Sequence, residues 1–205
     1  MMNTPSFYND APKITLYDPL AEFLGAAEKG VVEYNYLDAV KLAGHSCPTV
    51  AGAWLMTRKA LASLYGDKLP VRGAIQVSFR DGQADGVTGV IANVASLLTG
   101  AAQSGGFKGI GGKFDRRNLV HFNAAITGEI RYTRLDTGIS VETSYHPERV
   151  SASPGMKELM QKAMMGVANA EERSRFGLLW QDRVKRILID HADNDELISI
   201  IISAR

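Results

Sequence analysis

The chain has 205 residues, of which 45% are hydrophobic and 22% charged, with a formal net charge of +1. This length and composition are ordinary for one globular domain with a full hydrophobic core, and the near-neutral charge gives no reason to expect nucleic acid as a partner. No run of 18 apolar residues occurs, so no membrane span is expected, and the N-terminus lacks the pattern of a signal peptide. A single cysteine without an export signal predicts a cytoplasmic location.

The N-terminal half is predicted to be mainly helical. Residues 1–13 are polar with two prolines and are expected to be either poorly ordered or an N-terminal arm, which leaves 14–205 as one domain. Asp18-Pro19 is typical of a helix start, with Asp18 as the N-cap. The apolar spacing and the glycines that follow predict three helices, at residues 18–29, 36–42 and 48–65.

The rest of the chain is predicted to form a sheet and two more helices. Residues 71–79 alternate as a strand does, and Asp85 is expected to open a helix. Glycine-containing turns separate three further predicted strands, at residues 119–126, 130–135 and 139–145. Two helices are predicted at residues 156–167 and 170–191, and the apolar tail 197–202 fits either a strand or a helix. The pattern predicts an α+β fold, in which helices cover an antiparallel β-meander sheet of about four or five strands.

The segment Gly44-His45-Ser46-Cys47-Pro48-Thr49 contains the only cysteine. Pro48 suits the first turn of a helix, which places Cys47 at the N-cap, where the helix dipole favours a thiolate. An imidazole and a thiol two residues apart predict a metal site or an activated nucleophile. The alternative is a buried cysteine that acts as a small hydrophobe, with His45 in a turn.

The glycine-rich segment from Gly105 to Lys113 fits neither a Walker loop nor a dinucleotide fingerprint. We interpret it as a mobile, cationic lid, in which backbone N–H groups and basic side chains hold a small anionic substrate. The alternative is a plain surface loop. The residues expected to hold the anion are Lys108, Gly109, Gly111, Gly112, Lys113, Arg116 and Arg117.

Residues 43–52, which contain this His-Ser-Cys-Pro run, resemble the Gly-His-x-Cys-Pro-Gly signature of the FmdE family, which takes its name from formylmethanofuran dehydrogenase. The resemblance extends loosely over residues 35–190, through the strand at 75–79, Asp85 and Asn118-Leu119. Three features depart from the family: Thr49 replaces a glycine, Gly82 and Ala101 or Ala102 stand near positions that are cysteines in many members, and one cysteine cannot build the C-terminal zinc finger of some members.

The resemblance implies an FmdE-like core domain, a homodimer with a cleft near the dimer interface, and a role in one-carbon or molybdenum/tungsten enzyme metabolism. It also implies Asp85 as a ligand or proton acceptor. The expected metal is zinc, held by His45, Cys47 and Asp85, with His121 as a further candidate on one face of its strand. A catalytic form would use Cys47 or metal-bound water, with His45 as ligand or base and Lys113 as the anion holder. The alternative is a non-catalytic protein that binds or delivers a metal or cofactor.

The apolar tail at residues 198–202 is expected to pack on a partner chain.

Overall fold

The computed structural model describes residues 4–203. The described part of the predicted arm packs on the body of the protein. Residues 6–9 form a 3₁₀ turn, and Phe7 and Tyr8 are 8% and 6% exposed. The indole Nε1 of Trp54 donates a hydrogen bond of 2.9 Å to the carbonyl of Pro12. These contacts fix the arm to the body of the protein.

A two-stranded antiparallel sheet follows, which the sequence analysis did not predict. It consists of β1 (Ile14–Tyr17) and β2 (Val31–Tyr34), with α1 (Pro19–Phe23) between them. Asp18 caps α1 as predicted, since its carboxylate accepts hydrogen bonds from the N–H groups of Leu20 and Ala21. The helix is much shorter than predicted, because the chain must turn back to pair β2 with β1.

The next two helices have the predicted positions. Helix α2 (Tyr36–Ala43) ends at Gly44 in the left-handed conformation, and α3 (Pro48–Tyr65) begins with proline and is closed by Gly66. The side chains at the centre of α3, from Ala53 to Met56, are fully buried. Helix α3 is therefore the core helix of the fold.

The main sheet has five strands in the order β4-β3-β5-β6-β7. These are β3 (Ile75–Phe79), β4 (Val120–His121), β5 (Ile130–Arg134), β6 (Ser140–Tyr145) and β7 (Ile198–Ser203). The prediction of a meander through residues 119–145 was wrong in its first strand. Strand β4 has only two residues and pairs in parallel with one edge of β3, while β5 pairs with the other edge. The antiparallel meander is instead β5-β6-β7, so the sheet is mixed and open, and the fold is α+β.

Three helices complete the fold: α4 (Thr88–Thr99), α5 (Met156–Met164) and α6 (Ala170–Lys185), the last followed by a π-helical turn at Arg186–Asp190. Asp85 does not open α4 as predicted. Val87 occupies the N-cap position, and Asp85 Oδ2 accepts a hydrogen bond of 2.9 Å from Gly82 N. Within residues 4–203, none of the helices is long and apolar enough to cross a membrane.

The packing of α3 on the sheet depends on a glycine. A Cβ at Gly52 would overlap the ring of Tyr145 on β6, whereas a Cβ at Gly177 on α6 would meet nothing within 4 Å. We expect Gly52→Ala to lower the free energy of unfolding by about 1–3 kcal/mol through overpacking. Gly177→Ala, the matched control, should raise it by up to about 1 kcal/mol through helix propensity. Urea unfolding of both variants measures the difference, and equal effects would contradict this account of the helix–sheet contact.

Candidate functional site

His45 and Cys47 lie in the short connection between α2 and α3, and they differ in exposure. Cys47 is 8% exposed and its Sγ accepts a hydrogen bond of 3.5 Å from Val50 N, so it caps α3 as predicted. His45 is exposed, with Nδ1 3.0 Å from the carbonyl oxygen of Ala43. The thiol therefore belongs to the core and the imidazole to the surface.

Ser46, between these two residues, ties the connection to the rest of the core. Its hydroxyl lies 3.1 Å from Tyr36 Oη, and its carbonyl accepts hydrogen bonds from Trp180 Nε1 and Gln181 Nε2 at 3.0 and 3.1 Å. Burial raises the pKa of Tyr36 far above its ordinary value, so its phenol stays neutral. The network gives the connection a rigid structural role.

The predicted zinc ligands do not form a common group in the structure. Asp85 is exposed in the turn before α4, and His121 is exposed on β4. Across residues 4–203, no three histidine, cysteine, aspartate or glutamate residues form a group that could hold a metal ion. The set His45, Cys47, Asp85 and His121 does not fit the four-ligand geometry of zinc there, and zinc stays a prediction of the sequence.

Asp85 instead lines an acidic cleft of about 270 Å³ beside the end of β3, together with Arg80, Asp81 and Glu129. Burial raises the pKa of Glu129, and the nearby Tyr145 N–H and Arg80 only partly oppose this. The cleft has three carboxyl groups and one guanidinium, so it repels an anion when the carboxyl groups are ionised. The small anion predicted from the sequence does not fit beside Asp85.

The glycine-rich loop folds back on itself. Ile110 N donates to the carbonyl of Lys113 at 2.9 Å, and Lys113 N donates to the carbonyl of Ile110 at 3.0 Å. Gly109 has a φ of +84°, and a Cβ there would overlap the Lys113 carbonyl. Gly111 and Gly112 also have positive φ, while Lys108 and Lys113 are exposed. The tight turn alone explains these glycines, without an anion in their backbone cradle.

The ends of this loop border a second cavity, of about 370 Å³, between the loop and α4. We call it the arginine pocket, because two guanidinium groups are the only charged groups among its described lining residues. Its lining residues are Leu42, Arg72, Asn93, Ser96, Leu97, Gly100, Ala101, Ala102, Phe107 and Arg116.

Both arginines of the pocket bind one carboxylate. Asp18 Oδ2 lies 2.9 Å from Arg72 Nη1, and Asp18 Oδ1 lies 2.6 Å from Arg116 Nη2. Asp18 is 4% exposed and Arg116 8%. Burial acts to raise the pKa of Asp18, but the hydrogen bonds from Arg72, Ala21 and Arg116 outweigh it and hold this pKa below its usual value. Asp18 is therefore ionised at neutral pH.

The cluster is incompletely neutralised and has one buried donor without a partner. Asp18 accepts hydrogen bonds from both guanidiniums and from the N–H groups of Leu20 and Ala21, which is about the capacity of a carboxylate. Arg116 Nε is buried and has no hydrogen-bond partner among the described residues. Two positive charges against one negative charge leave a net +1 beside the cavity, and this arrangement suits an anionic ligand.

Part of this site was predictable from the sequence. Arg116 was named with the glycine-rich loop, whereas Asp18 was predicted only as a helix cap and Arg72 was not singled out. Asp18 lies 54 residues from Arg72 and 98 from Arg116, so no local spacing signals the cluster.

Among known proteins, no family model matches this chain, and no curated protein is significantly similar to it. The likeness to the FmdE family therefore rests on the sequence motif and the loose pattern around it.

Proposed function

We propose that this protein binds a small organic anion in the arginine pocket. The observation that carries the proposal is the pair of arginines that share the single carboxylate of Asp18 and leave one positive charge uncompensated. The cavity volume of about 370 Å³ is within the range of small-molecule sites. A small anionic ligand was also expected from the sequence, but the arginine pocket does not include His45, Cys47 or Asp85 in its lining.

The glycine-rich loop supports the pocket through its backbone. Arg116 N donates to the Phe107 carbonyl at 2.9 Å, and Ala102 N donates to the Arg116 carbonyl at 2.9 Å. These bonds hold Arg116 between the two ends of the loop. Lys108 and Lys113 do not line the pocket, so their role is limited to long-range attraction of an anion.

A charge-removing substitution tests the binding site. We expect Arg116→Gln to weaken binding of small carboxylates at least tenfold, since a hydrogen bond to a charged group contributes about 1.5–3 kcal/mol. Lys113→Gln is the matched control and should change the Kd less than threefold, because its side chain is exposed. Isothermal titration calorimetry measures both, and circular dichroism checks the fold. Absence of anion binding by the wild type at millimolar concentrations, or equal effects of the two variants, would exclude the pocket.

A thiol-dependent reaction at Cys47 is the second candidate function, favoured by the position of Sγ at the start of an 18-residue helix. It has less support than anion binding, because Cys47 is buried and Sγ already accepts the Val50 N–H. We expect slow alkylation of native Cys47 by iodoacetamide and rapid alkylation after unfolding in urea. Rapid alkylation of the native protein would favour the catalytic alternative. Two further proposals come from the sequence: zinc binding, and an FmdE-like role in one-carbon or molybdenum/tungsten metabolism. Elemental analysis of the purified protein tests the first of them.

We also propose that the chain forms a homodimer through β7. This strand pairs only with β6 among the described strands, contains no charged residue, and exposes Ile201 and Ile202 by 48% and 64%. An apolar edge strand is a template for further pairing, and an uncharged strand can pair with its own copy without like-charge repulsion.

Light scattering coupled to size exclusion tests the dimer. Ile202→Lys should shift the mass toward the monomer by placing two like charges at the shared edge. Leu178→Lys on α6, where Leu178 is 71% exposed, should leave the mass unchanged. A wild-type monomer at micromolar concentration would contradict the proposal.

A further inference from the structure

We infer that the ligand of the arginine pocket is a monocarboxylate with an apolar body, an aromatic acid being the best fit. The inference rests on the proposed function and specifies its ligand class. It follows from three properties of the pocket: its net charge, its neutral polar groups and its apolar walls.

The charge of the pocket matches a single negative charge. Arg72 and Arg116 are the only charged residues in its described lining, and Asp18 behind them already neutralises one of the two. A monocarboxylate would bring the cluster to neutrality, whereas the dianionic form of phosphate would leave an excess negative charge in a partly buried place. Arg72 already donates to the Leu97 carbonyl and to Asp18, whereas Arg116 Nε has no partner among the described residues. Arg116 is therefore the arginine with a free donor for a carboxylate oxygen.

Two neutral polar side chains lie beside these charges. Asn93 and Ser96 are three residues apart on α4, so they share one face of the helix, and both line the pocket. Asn93 is exposed and Ser96 half-buried, and neither side chain forms a hydrogen bond within residues 4–203. Each can donate to a ligand oxygen without first giving up a protein partner.

The other large side chains of the lining are apolar, and a bare anion would not cover them. Leu42 and Phe107 are 48% and 41% exposed, and Leu97 is half-buried beside them. Apolar area removed from water contributes about 25 cal/mol per Å². A ring or branched alkyl group on the carboxylate gains this contribution from Leu42 and Phe107, while acetate and phosphate do not.

The volume agrees with such a ligand. A cavity of about 370 Å³ has room for a ring as well as a carboxylate. Phe107 lies near the start of the glycine-rich loop and lines the pocket, where its ring can stack on the aromatic ring of a ligand.

Titrations with four probes test the inference: 2-naphthoate, benzoate, acetate and inorganic phosphate. We expect the two aromatic acids to bind at least tenfold more tightly than acetate, and phosphate to bind no better than acetate. Phe107→Ala should weaken 2-naphthoate at least fivefold and acetate less than twofold. Ile110→Ala is the matched control, since Ile110 is 44% exposed in the same loop but does not line the pocket, and it should change neither Kd.

The outcomes separate this inference from the proposed function. Tighter binding of phosphate than of any carboxylate, abolished by Arg116→Gln, would overturn the monocarboxylate and keep the anion site. Equal affinity for acetate and 2-naphthoate, unaffected by Phe107→Ala, would overturn the apolar body. Failure of all four probes to bind the wild type would overturn both.

Discussion

Asp18→Asn is expected to destabilise the protein by about 3 kcal/mol, because it leaves two largely buried guanidiniums without their counter-charge. Asparagine retains the helix cap of α1, so the loss reports the charge and not the cap. Arg72 keeps 17% of its side chain exposed, which places the value at the lower end for a broken buried ion pair. Urea unfolding at neutral pH measures the loss. Asp115→Asn, which removes an exposed pair with Arg117, should have little effect.

The same variant has an expected pH signature. The lowered pKa of Asp18 means that its stabilisation is fully present above the ordinary carboxyl pKa. It is lost as the pH falls from there through the lowered pKa. The wild-type stability should therefore fall more steeply below about pH 4 than that of Asp18→Asn. Parallel curves for the two proteins would contradict the ionised cluster.

The proposed ligand should partly restore the stability of Asp18→Asn. Removal of the carboxylate leaves two uncompensated charges at the pocket, so a bound anion has more to neutralise. A ligand at 100 times its Kd stabilises the folded state by about 2.7 kcal/mol. Benzoate should thus raise the Tm of Asp18→Asn more than that of the wild type at the same concentration. An equal rise in Tm for both proteins would show that the charge of Asp18 does not affect benzoate binding, and would contradict the link between the pocket and the ion cluster.

Trp54→Ala is expected to cost about 3–5 kcal/mol, the usual loss for a large aromatic side chain removed from a core. Trp54 is fully buried, and its ring packs edge-to-face on Tyr36 at a centroid distance of 6.0 Å. Its Nε1 also holds the N-terminal arm through the Pro12 carbonyl.

Trp54→Phe separates the two roles of the indole. It keeps most of the packing and loses the hydrogen bond, so we expect a smaller loss of about 1–2 kcal/mol with faster proteolysis within residues 4–13. Urea unfolding and limited digestion with chymotrypsin, which cleaves after Phe7 and Tyr8, measure these effects. A loss below about 1 kcal/mol for Trp54→Ala would contradict the central place of α3 in the core.

Several elements were predictable because their signals are local. The Asp18 cap, the end of α2 at Gly44, and the full span of α3 from Pro48 to Tyr65 depend on neighbouring residues and on a 3.6-residue period. The N-cap position of Cys47 followed from Pro48 in the same way. The hairpin turn between β5 and β6 was also found from its glycine.

Other features depend on partners that are far away in the sequence. The local sequence of residues 119–126 does not indicate that β4 pairs in parallel with β3. The edge of β3 that β4 uses depends on β5, which pairs with the other edge. Helix α4 begins after the predicted start at Asp85, because the Asp85 carboxylate accepts the Gly82 N–H of the preceding turn instead of capping the helix. The burial of the N-terminal arm depends on Trp54.

The sequence by itself determined α2, α3, the cap at Asp18, the α+β class and the basic residue Arg116 beside a glycine-rich loop. Only the tertiary structure decided that Asp18, Arg72 and Arg116 meet, and that His45, Cys47, Asp85 and His121 form no common metal group within residues 4–203. The reason is physical. Caps and helical periods are stabilised by contacts within a few residues, whereas a charge cluster forms where packing brings three distant segments together and excludes water from them.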